Sequence, residues 1–469
     1  MSAPVVPFDR AQLRRAADAL DDDMAASAGE SDLPAGTEFA LAQQLAEASR
    51  GLLRWSPGLD WLRNVGSYWE RDTLLTRYSL AKDICKAAAT ETESDKAAAR
   101  ICTTATVGAV VALARTEEGI VTPAEEWDSN IMLLNTRGPV IDLETGAEVP
   151  RDGLLFTQMT TAAPERRTPE RWLSFLAEVF SGDAEMVEFI QRLAGYALTG
   201  SIREQKLFFL HGSGANGKSV FLDVLRAVGG TYAYNLPSEA LMSTRHSGHP
   251  TMFASLRGRR LAVSSEVEEG SHWSEARIKS LTGDEVLTAR YMRMDFFQFR
   301  QTAKHLVSGN YRPRLRGDDF AMTRRMVLIP FNQRFEGARR DDHLLDKLTG
   351  ELPGILQWAI DGAVKWSRDG LAIPASVLDA SQQYASEQND LELWIADCCH
   401  RDPAASAGAK QLYDSFRRWK EASGERAPSN KSFSQRLERM FQKRKTRTVI
   451  VFDGLRLADG SDGYELECQ

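Results

Sequence analysis

The feature that most constrains this chain is a glycine-rich octapeptide in the middle of the sequence that fits the pattern GxxxxGK[ST]. Its residues are Gly212, Ser213, Gly214, Ala215, Asn216, Gly217, Lys218 and Ser219. The apolar run KLFFLH before the octapeptide predicts a strand, and VFLDVLRAV after it predicts a helix. A strand, a glycine-rich loop and a helix in this order are the context that the pattern requires.

The residue types in this octapeptide suit phosphate binding. Glycines let backbone N–H groups turn towards phosphate oxygens, and the N-terminus of the following helix adds a positive dipole. Lys218 can reach the β- and γ-phosphates of a nucleotide, and Ser219 can ligate Mg²⁺. An ordinary glycine-rich turn is the structural alternative. The pattern by itself is shared by kinases, GTPases and motor ATPases.

Four short apolar runs alternate with helical segments between residues 205 and 335: KLFFLHG, RRLAVSSE, KHLVSGN and RMVLIPF. This alternation favours an α/β sheet that is buried on both faces. Glu266 and Glu268 follow the second run, where a carboxylate can hold Mg²⁺ and orient the attacking water. Asn310 ends the third run, where an amide can bind the γ-phosphate or the water. A solvated acidic strand end and a turn-forming asparagine are the alternatives.

Two arginines, Arg324 and Arg325, precede the fourth apolar run. An arginine at this point can act in trans on the nucleotide of a neighbouring subunit, as an arginine finger does. A surface arginine pair is the alternative interpretation.

The order of these motifs within residues 212–325 resembles that of the superfamily 3 helicases. The closer resemblance is to the phage and plasmid primase–helicase type, which is related to the poxvirus primase–helicase. It is carried by LFFLHGSGANGKS, RRLAVSSEVEEG, IKSLTGDEVLTARYMR, KHLVSGNYRPRLRGDD and TRRMVLIPF. Upstream, WDSNIMLLNTRGPVIDLETG and FIQRLAGYALTG resemble the helical domain that precedes the motor in this family.

The resemblance implies a role for each of the motif residues. Lys218 and Ser219 would bind ATP and Mg²⁺, Glu266 and Glu268 would form the Walker B site, and Asn310 would be sensor 1. The arginine finger would be Arg324 or Arg325, and the choice stays open because Met322 and Thr323 stand where the family often has a large aromatic residue.

The predicted fold class is α/β, a P-loop AAA+ motor between a mainly helical domain and a winged-helix-like domain. Residues 1–50 form an acidic lead-in, 51–200 the helical N-terminal domain, 201–370 the motor, and 371–469 a linker and the winged-helix-like domain. Within the second part, NTRGPVIDLETGAEVPRDG predicts a small β element with turns at Gly138 and Gly146.

Two segments are candidates for DNA contact. The first is a predicted hairpin over residues 283–300, which in the resembled family enters the central pore of a hexamer; a solvated hairpin is the alternative. Its candidate residues, with one just before it, are Lys279, Arg290, Tyr291 and Arg293.

The second candidate for DNA contact lies in residues 410–447, which hold 12 basic and 4 acidic residues although the whole chain has a net charge of −7. QLYDSFRRWKEAS and SFSQRLERMFQKRK predict two helices, and TRTVIVFDGLRLA predicts a strand. This pattern is similar to a winged helix, and its candidate contacts are Lys431, Arg436, Arg439, Lys443 and Arg444. A solvated basic helix pair is the alternative.

The expected function is ATP hydrolysis that drives translocation on single-stranded DNA and unwinding of forked DNA during replication of a phage, plasmid or related element. We expect a homo-hexameric ring in the cytoplasm of a bacterial host, with a primase or other replication proteins as partners and no membrane association. No clustered carboxylates of a primase are apparent, so primer synthesis is not expected. The alternatives are an ATP-switched initiator or loader that binds duplex DNA, and a small-molecule kinase.

Overall fold

The computed structural model describes residues 36–243, 251–265, 271–292, 295–313, 320–387, 390–422, 427–438, 440–446 and 449–458. The side chains of residues 320, 338 and 385–387 are not part of this description. The chain divides into two compact units. The first unit comprises Met1–Ile141 and Glu148–Thr160, and the second comprises Asp142–Ala147 and Thr161–Gln469.

The first unit combines helices with two small sheets. Its helices are α1 (Glu38–Ala48), α2 (Thr76–Thr90), α3 (Asp95–Ile101) and α4 (Thr104–Leu113). The antiparallel sheet β1-β2-β3 comprises Leu53–Ser56, Asp60–Asn64 and Trp69–Arg71. The second sheet, β4-β5-β6, comprises Leu133–Asn135, Val140–Asp142 and Glu148–Val149. This second sheet is the small β element that the sequence predicts, and Gly146 adopts a φ of 76° in its turn.

The core of the first unit forms because α1 is amphipathic. Leu41 and Leu45, one helical turn apart, are fully buried with Trp61 of β2 and Val110 of α4. Thr37 begins α1, since its side chain accepts a hydrogen bond from the backbone N–H of Ala40 at 3.3 Å. Amphipathic helices and a short sheet thus share one apolar cluster.

The second unit is built around a parallel sheet with the strand order β13-β7-β12-β9-β8. These strands are Met326–Pro330, Leu207–His211, Lys304–Gly309, Leu261–Ser264 and Ala233–Asn235. All adjacent pairs are parallel, and the three central strands are buried along most of their length. The four predicted strands are therefore confirmed, whereas β8 was not predicted because its short sequence AYN has no apolar run.

Helices surround this parallel sheet. They are α5 (Glu170–Val179), α6 (Ala184–Leu198), α7 (Lys218–Gly229), α8 (Thr251–Ala254), α9 (Glu275–Gly283), α10 (Phe320–Thr323), α11 (Leu344–Thr349), α12 (Leu352–Asp369) and α13 (Ala375–Glu387). The backbones of α6 and α12 approach closely at two glycines. A Cβ atom at Gly195 would lie 2.0 Å from the Ala363 nitrogen, and one at Gly362 would lie 2.0 Å from the Gln191 carbonyl oxygen. Only glycine fits at this helix crossing.

The boundary near residue 160 differs from the predicted boundary at residue 200. Helices α5 and α6 belong to the second unit because their apolar faces pack on its own elements. Trp172 of α5 stacks on Phe221 of α7 with 5.8 Å between the ring centroids. The first unit also contains two three-stranded sheets, so it is mixed α/β and not mainly helical.

The last part of the second unit has its own apolar cluster. Its elements are α14 (Asp390–Cys398), β14 (Cys399–Gly408), α15 (Ala409–Ala422), α16 (Asn430–Leu437), β15 (Gln442–Lys445) and β16 (Ile450–Leu457). The strands form an antiparallel sheet in the order β14-β16-β15. Trp394, Phe416 and Phe433, one from each helix, are fully buried together.

One predicted element in this part was wrong in its length. The helix predicted over SFSQRLERMFQKRK ends at Leu437, and residues 442–445 form β15 instead. The reason is tertiary, because Gln442–Lys445 pair with residues 450–453 of β16 and this non-local pairing overrides the helical preference of lysine and arginine.

Among the described residues, no single helix has the length and apolar character needed to span a membrane. The consecutive helices Asp95–Ile101 and Thr104–Thr116 meet these criteria only as a pair, with a bend of 58° between them.

Candidate nucleotide and DNA site

The glycine-rich octapeptide forms the connection from β7 to α7. Gly214, Ala215 and Gly217 have φ angles of 91°, 48° and 88°, so the backbone curves back on itself in the left-handed region. A Cβ atom at Gly212 would lie 2.2 Å from both the Asn216 amide nitrogen and the Phe331 carbonyl oxygen. The loop therefore requires glycine at both ends, as the motif predicts.

The segment after β13 holds this loop in place, a contact that the sequence analysis missed. The side-chain amide of Asn216 donates to the Phe331 carbonyl oxygen at 3.1 Å. The Phe335 backbone N–H donates to the Ala215 carbonyl oxygen at 2.7 Å. Asn216 occupies a variable position of the motif, so the pattern gave no signal for its role.

Lys218 is the first residue of α7, and its side chain is buried beneath the loop. Its ammonium donates to the Gly212 carbonyl oxygen at 2.7 Å, to Asn216 Oδ1 at 3.0 Å and to Asn310 Oδ1 at 3.1 Å. All three acceptors are neutral, and burial lowers the pKa of Lys218 to about 8. A buried ammonium with neutral acceptors beside a loop of this kind suits a polyphosphate.

The parallel sheet brings Asn310 to the same edge as the loop. Strand β12, which ends before Asn310, lies between β7 and β9. Because parallel strands end at one edge of a sheet, Asn310 faces the loop after β7. Glu266 and Glu268 follow β9 but lie outside the described residues.

The predicted magnesium site is described only in part. Ser219 is the second residue of α7, and its side chain is exposed. Among the residues that the structure describes, no three histidine, cysteine, aspartate or glutamate residues cluster in a way that could hold a metal ion. The exposed hydroxyl next to the phosphate-type loop fits Mg²⁺ bound together with a nucleotide, in which substrate oxygens complete the coordination.

The two arginines before β13 have different surroundings. Arg325 is buried, with Nε 3.2 Å from Thr282 Oγ1 and Nη1 2.7 Å from the Ala321 carbonyl oxygen. Arg324 is exposed, and its carbonyl oxygen accepts a hydrogen bond from Lys206 Nζ at 2.6 Å. Only the side chain of Arg324 is therefore placed on the surface.

The predicted hairpin is present as β10 (Val286–Ala289) and β11 (Phe297–Arg300), paired antiparallel. The Tyr291 ring stacks on Phe297 with 5.3 Å between centroids, and its hydroxyl donates to the Ala254 carbonyl oxygen at 3.3 Å. These contacts hold the Tyr291 side chain, at the turn end of the hairpin, against β11 and the backbone of α8. Lys279 lies half-buried on α9, and Arg293 lies outside the described residues.

The exposed apolar residues of the hairpin were not among the predicted contacts. Met292 and Phe296 are 74% and 59% exposed, and the guanidinium of Arg290 lies 4.9 Å from the centre of the Phe296 ring. An aromatic ring with an arginine against it provides a surface on which a base can stack. Two bulky apolar residues in the turn of a polar hairpin were the available sequence signal.

The basic residues of the C-terminal part are not all on the surface. Arg436 forms an ion pair with Asp390, which also binds Lys420 Nζ at 2.8 Å. Burial raises the pKa of Asp390, but hydrogen bonds from Arg436 and Lys420 outweigh this effect and keep it below the usual range. A DNA contact by Arg436 would require this pair to break, so its predicted role stays a prediction.

The remaining predicted residues of this part lie on two elements. Lys431 is exposed at the start of α16. Lys443 and Arg444 lie on strand β15, where every residue is exposed, and not on a helix as predicted. Arg444 pairs with Asp453 at 2.9 Å, and Lys443 lies 3.3 Å from Glu438. Arg439 lies outside the described residues.

Comparisons with known proteins agree with this arrangement. Residues 42–181 match the family described as D5 N terminal like, and residues 210–325 match a family of unknown function, DUF5906. A helicase candidate of Acanthamoeba polyphaga mimivirus is 25% identical over 321 residues, which cover 62% of this chain and 33% of that protein. A helicase candidate of Frog virus 3 is 24% identical over 273 residues, which cover 53% of this chain and 28% of that protein.

The chain thus spans about a third of the length of these viral relatives. Among solved structures, the apo structure of the NrS-1 C terminal region shares the fold, with a TM-score of 0.51 and 11% identity over 89% of this chain and 99% of that one. The resemblance to D5-type primase–helicases is confirmed by the family match and the two viral relatives. Because both relatives come from viruses of eukaryotes, the expected bacterial host is not supported.

Proposed function

We propose that this chain, which resembles the D5-type primase–helicases, is an ATP-driven DNA helicase that translocates on single-stranded DNA and unwinds duplex DNA. One observation carries the proposal: Lys218 of the glycine-rich loop lies 3.1 Å from Asn310 at the end of the neighbouring strand. A P-loop motor needs this juxtaposition, in which the phosphate-binding lysine and a polar sensor face the same phosphate.

We assign the second unit to an AAA+ motor of superfamily 3. The octapeptide, Gly212 to Ser219, would cradle the phosphates of ATP with its backbone N–H groups. Lys218 would leave its neutral acceptors for the β- and γ-phosphates, and Asn310 would then be free to orient the attacking water. Ser219 and Glu266 would hold Mg²⁺, which would supply positive charge against the phosphates. Glu266 or Glu268 would position and deprotonate the water.

Of the two arginines, only one is suited to act at a subunit interface. The exposed Arg324 is the better candidate for the arginine finger, because a finger must reach the nucleotide of a neighbouring subunit. Arg325 is held inside its own subunit by Thr282 and Ala321. A trans-acting residue implies head-to-tail assembly, and a closed hexameric ring is the assembly that we propose.

DNA would contact two surfaces of this ring. In the pore, the tip of the β10–β11 hairpin would present Phe296, backed by Arg290, to the bases and sugars of a single strand. In the C-terminal part, the order helix, strand, helix, helix, strand, strand supports a winged helix. There the exposed strand β15, with Lys443, Arg444 and Lys445, would contact phosphates.

The test is the ATPase rate of the full chain with and without single-stranded DNA, followed by strand displacement on a forked duplex. We expect stimulation by DNA, and Lys218→Ala should abolish both activities. Lys365→Ala on α12, whose ammonium binds Gln191 and Glu188 of α6, is the matched control and should keep them. If the protein binds duplex DNA but single-stranded DNA does not change its ATPase rate, an ATP-switched initiator would be favoured. Full activity of Lys218→Ala would refute the site assignment.

A further inference from the structure

Helix α13 packs on the edge strand β13 of the parallel sheet. The Ser381 hydroxyl accepts a hydrogen bond from the Leu328 backbone N–H at 2.9 Å and donates to the Val377 carbonyl oxygen at 2.7 Å. Ser381 thereby satisfies a backbone donor of an edge strand, which fixes the helix on the sheet.

One turn further along α13, Tyr384 is fully buried, and its hydroxyl has two partners. Trp273 Nε1 donates to the Tyr384 hydroxyl at 2.9 Å, and the hydroxyl in turn donates to the Pro313 carbonyl oxygen. Burial raises the pKa of Tyr384, so that its hydroxyl stays protonated and can donate. The Tyr384 side chain thus joins Trp273 and Pro313, which are distant from each other in the sequence.

Both partner segments leave the nucleotide edge of the sheet. Pro313 comes three residues after Asn310, the proposed sensor. Trp273 follows the acidic segment that contains Glu266 and Glu268. The Tyr384 hydroxyl is therefore hydrogen-bonded to one residue that follows β12 and to one that follows β9. These are the two strands whose ends we expect to respond to the γ-phosphate.

Apolar contacts link the same residues to the phosphate-binding strand. The Trp273 ring meets the Phe209 ring of β7 edge-on, with 5.7 Å between their centroids. A Cβ atom at Gly309, next to Asn310, would lie 3.1 Å from the tip of the Phe209 ring. A displacement of Asn310 would therefore shift Phe209, Trp273 and Tyr384, since close-packed groups transmit small shifts.

We infer that Tyr384 is a positioning residue that couples the nucleotide state of the site to helix α13 and to the C-terminal part that follows it. The inference rests on the proposed function and goes beyond it, because it assigns the coupling to one hydroxyl. Tyr384 does not touch the glycine-rich loop. Its loss should therefore separate hydrolysis from the response to DNA, instead of abolishing hydrolysis.

The test compares Tyr384→Phe with Ser381→Ala in the full chain. Each variant removes one hydroxyl from α13, but only the first disconnects the two segments that leave the nucleotide edge. We measure basal ATPase, the factor of stimulation by single-stranded DNA, and the change in DNA affinity caused by a non-hydrolysable ATP analogue. Thermal unfolding reports the structural loss in both variants.

We expect Tyr384→Phe to keep basal hydrolysis within about twofold while its stimulation factor and its nucleotide-dependent change in DNA affinity fall about fivefold or more, the size of a typical allosteric coupling. Ser381→Ala should keep both couplings even where its stability drops equally. Unchanged coupling in Tyr384→Phe, or equal loss in both variants, would overturn the inference.

Two further results keep this test separate from that of the proposed function. If DNA does not stimulate the ATPase of the wild type, the proposed function fails and the inference fails with it. If DNA stimulates the ATPase of the wild type and of Tyr384→Phe equally, only the inference is refuted. If Tyr384→Phe does not fold, Trp273→Phe removes the donor to the same hydroxyl. That variant should also lose coupling, and normal coupling in it would refute the inference.

Discussion

The ammonium of Lys218 lies 3.1 Å from Oδ1 of Asn310, a residue 92 positions further along the chain. The contact exists because β7 and β12 are parallel neighbours, so the groups that follow them meet at one edge of the sheet. Each group satisfies the other. A phosphate entering between them would take the lysine and release the amide.

The contact between Lys218 and Asn310 predicts the effect of removing the Asn310 side-chain amide. Asn310→Ala should lower kcat for ATP hydrolysis about 100-fold, comparable to the loss of one hydrogen-bond donor from a preorganised site. The affinity for ATP should change only a few-fold, because Lys218 and the loop remain. Steady-state kinetics with a titration of an ATP analogue separates the two effects.

Asn235→Ala is the matched control for this variant, since Asn235 ends the edge strand β8 of the same sheet and is exposed. It should keep kcat within about twofold, as is usual for surface substitutions. If Asn310→Ala hydrolysed ATP at the wild-type rate, Asn310 would be a turn residue without a role in hydrolysis.

The lowered pKa of Lys218 predicts a pH dependence of nucleotide binding. Burial lowers this pKa to about 8, and an anionic phosphate raises it again by favouring the charged form. Binding therefore takes up a proton above pH 8, and affinity should fall by up to about tenfold for each further pH unit. The phosphate itself, with a second pKa near 6, is already ionised in this range.

Lys218→Arg provides the control for the pH experiment. Its guanidinium stays charged at every accessible pH, so its affinity should be weaker but nearly flat between pH 7.5 and about 9.5. Titration of an ATP analogue at constant ionic strength measures both curves. Parallel curves for the two proteins would mean that a group other than Lys218 controls the pH dependence.

The different burial of Arg324 and Arg325 predicts two kinds of defect. Arg324→Ala should fold normally and lose about 1000-fold or more in kcat, as expected for an arginine finger. Arg325→Ala should instead lower the free energy of unfolding by about 1–3 kcal/mol, because Thr282 and the Ala321 carbonyl lose their partner.

Mixing of inactive variants tests whether Arg324 acts in trans. Lys218→Ala subunits supply an intact arginine and Arg324→Ala subunits supply an intact loop, so some interfaces in a mixed assembly are complete. ATPase activity should therefore reappear on mixing. Mixtures that remain inactive, with subunit exchange verified, would place the arginine in its own subunit's site.

The glycine-rich loop and its sheet could be predicted from the sequence because their signals are local. Glycines at fixed positions and uninterrupted apolar runs determine a buried strand, a tight loop and a helix without reference to distant residues. The contact of Asn216 with Phe331 could not be predicted, because it joins two loops at the sheet edge that only the strand order brings together.

The C-terminal part shows the opposite case. Its number of basic residues suggests a charged surface, yet composition cannot tell which cation faces inward. Arg436 turns to Asp390, which also binds Lys420, and these three residues lie on three different helices. Likewise, residues 442–445 have helical composition and become a strand only because β16 offers a backbone partner.

This difference predicts that Arg436 and the cations of β15 respond differently to substitution. Arg436→Ala leaves Asp390 with one partner, so the free energy of unfolding should fall by an amount between ~1 kcal/mol for a surface pair and ~3–5 kcal/mol for a buried one. Lys445→Ala, on the fully exposed β15, should leave stability unchanged and weaken DNA binding. Urea unfolding and DNA titrations of the same two variants compare the effects directly.

Salt dependence then identifies the kind of contact that is lost. If Lys445 neutralises a phosphate, the slope of log affinity against log salt concentration should decrease by about 1 in Lys445→Ala, while the affinities for different DNA sequences fall together. Arg436→Ala should keep the wild-type slope at temperatures where it is folded, because its guanidinium is engaged by Asp390 in the native protein. A reduced slope in Arg436→Ala with normal stability would instead mean that DNA binding breaks the ion pair and recruits the arginine, which would restore the helix α16 as the primary DNA contact.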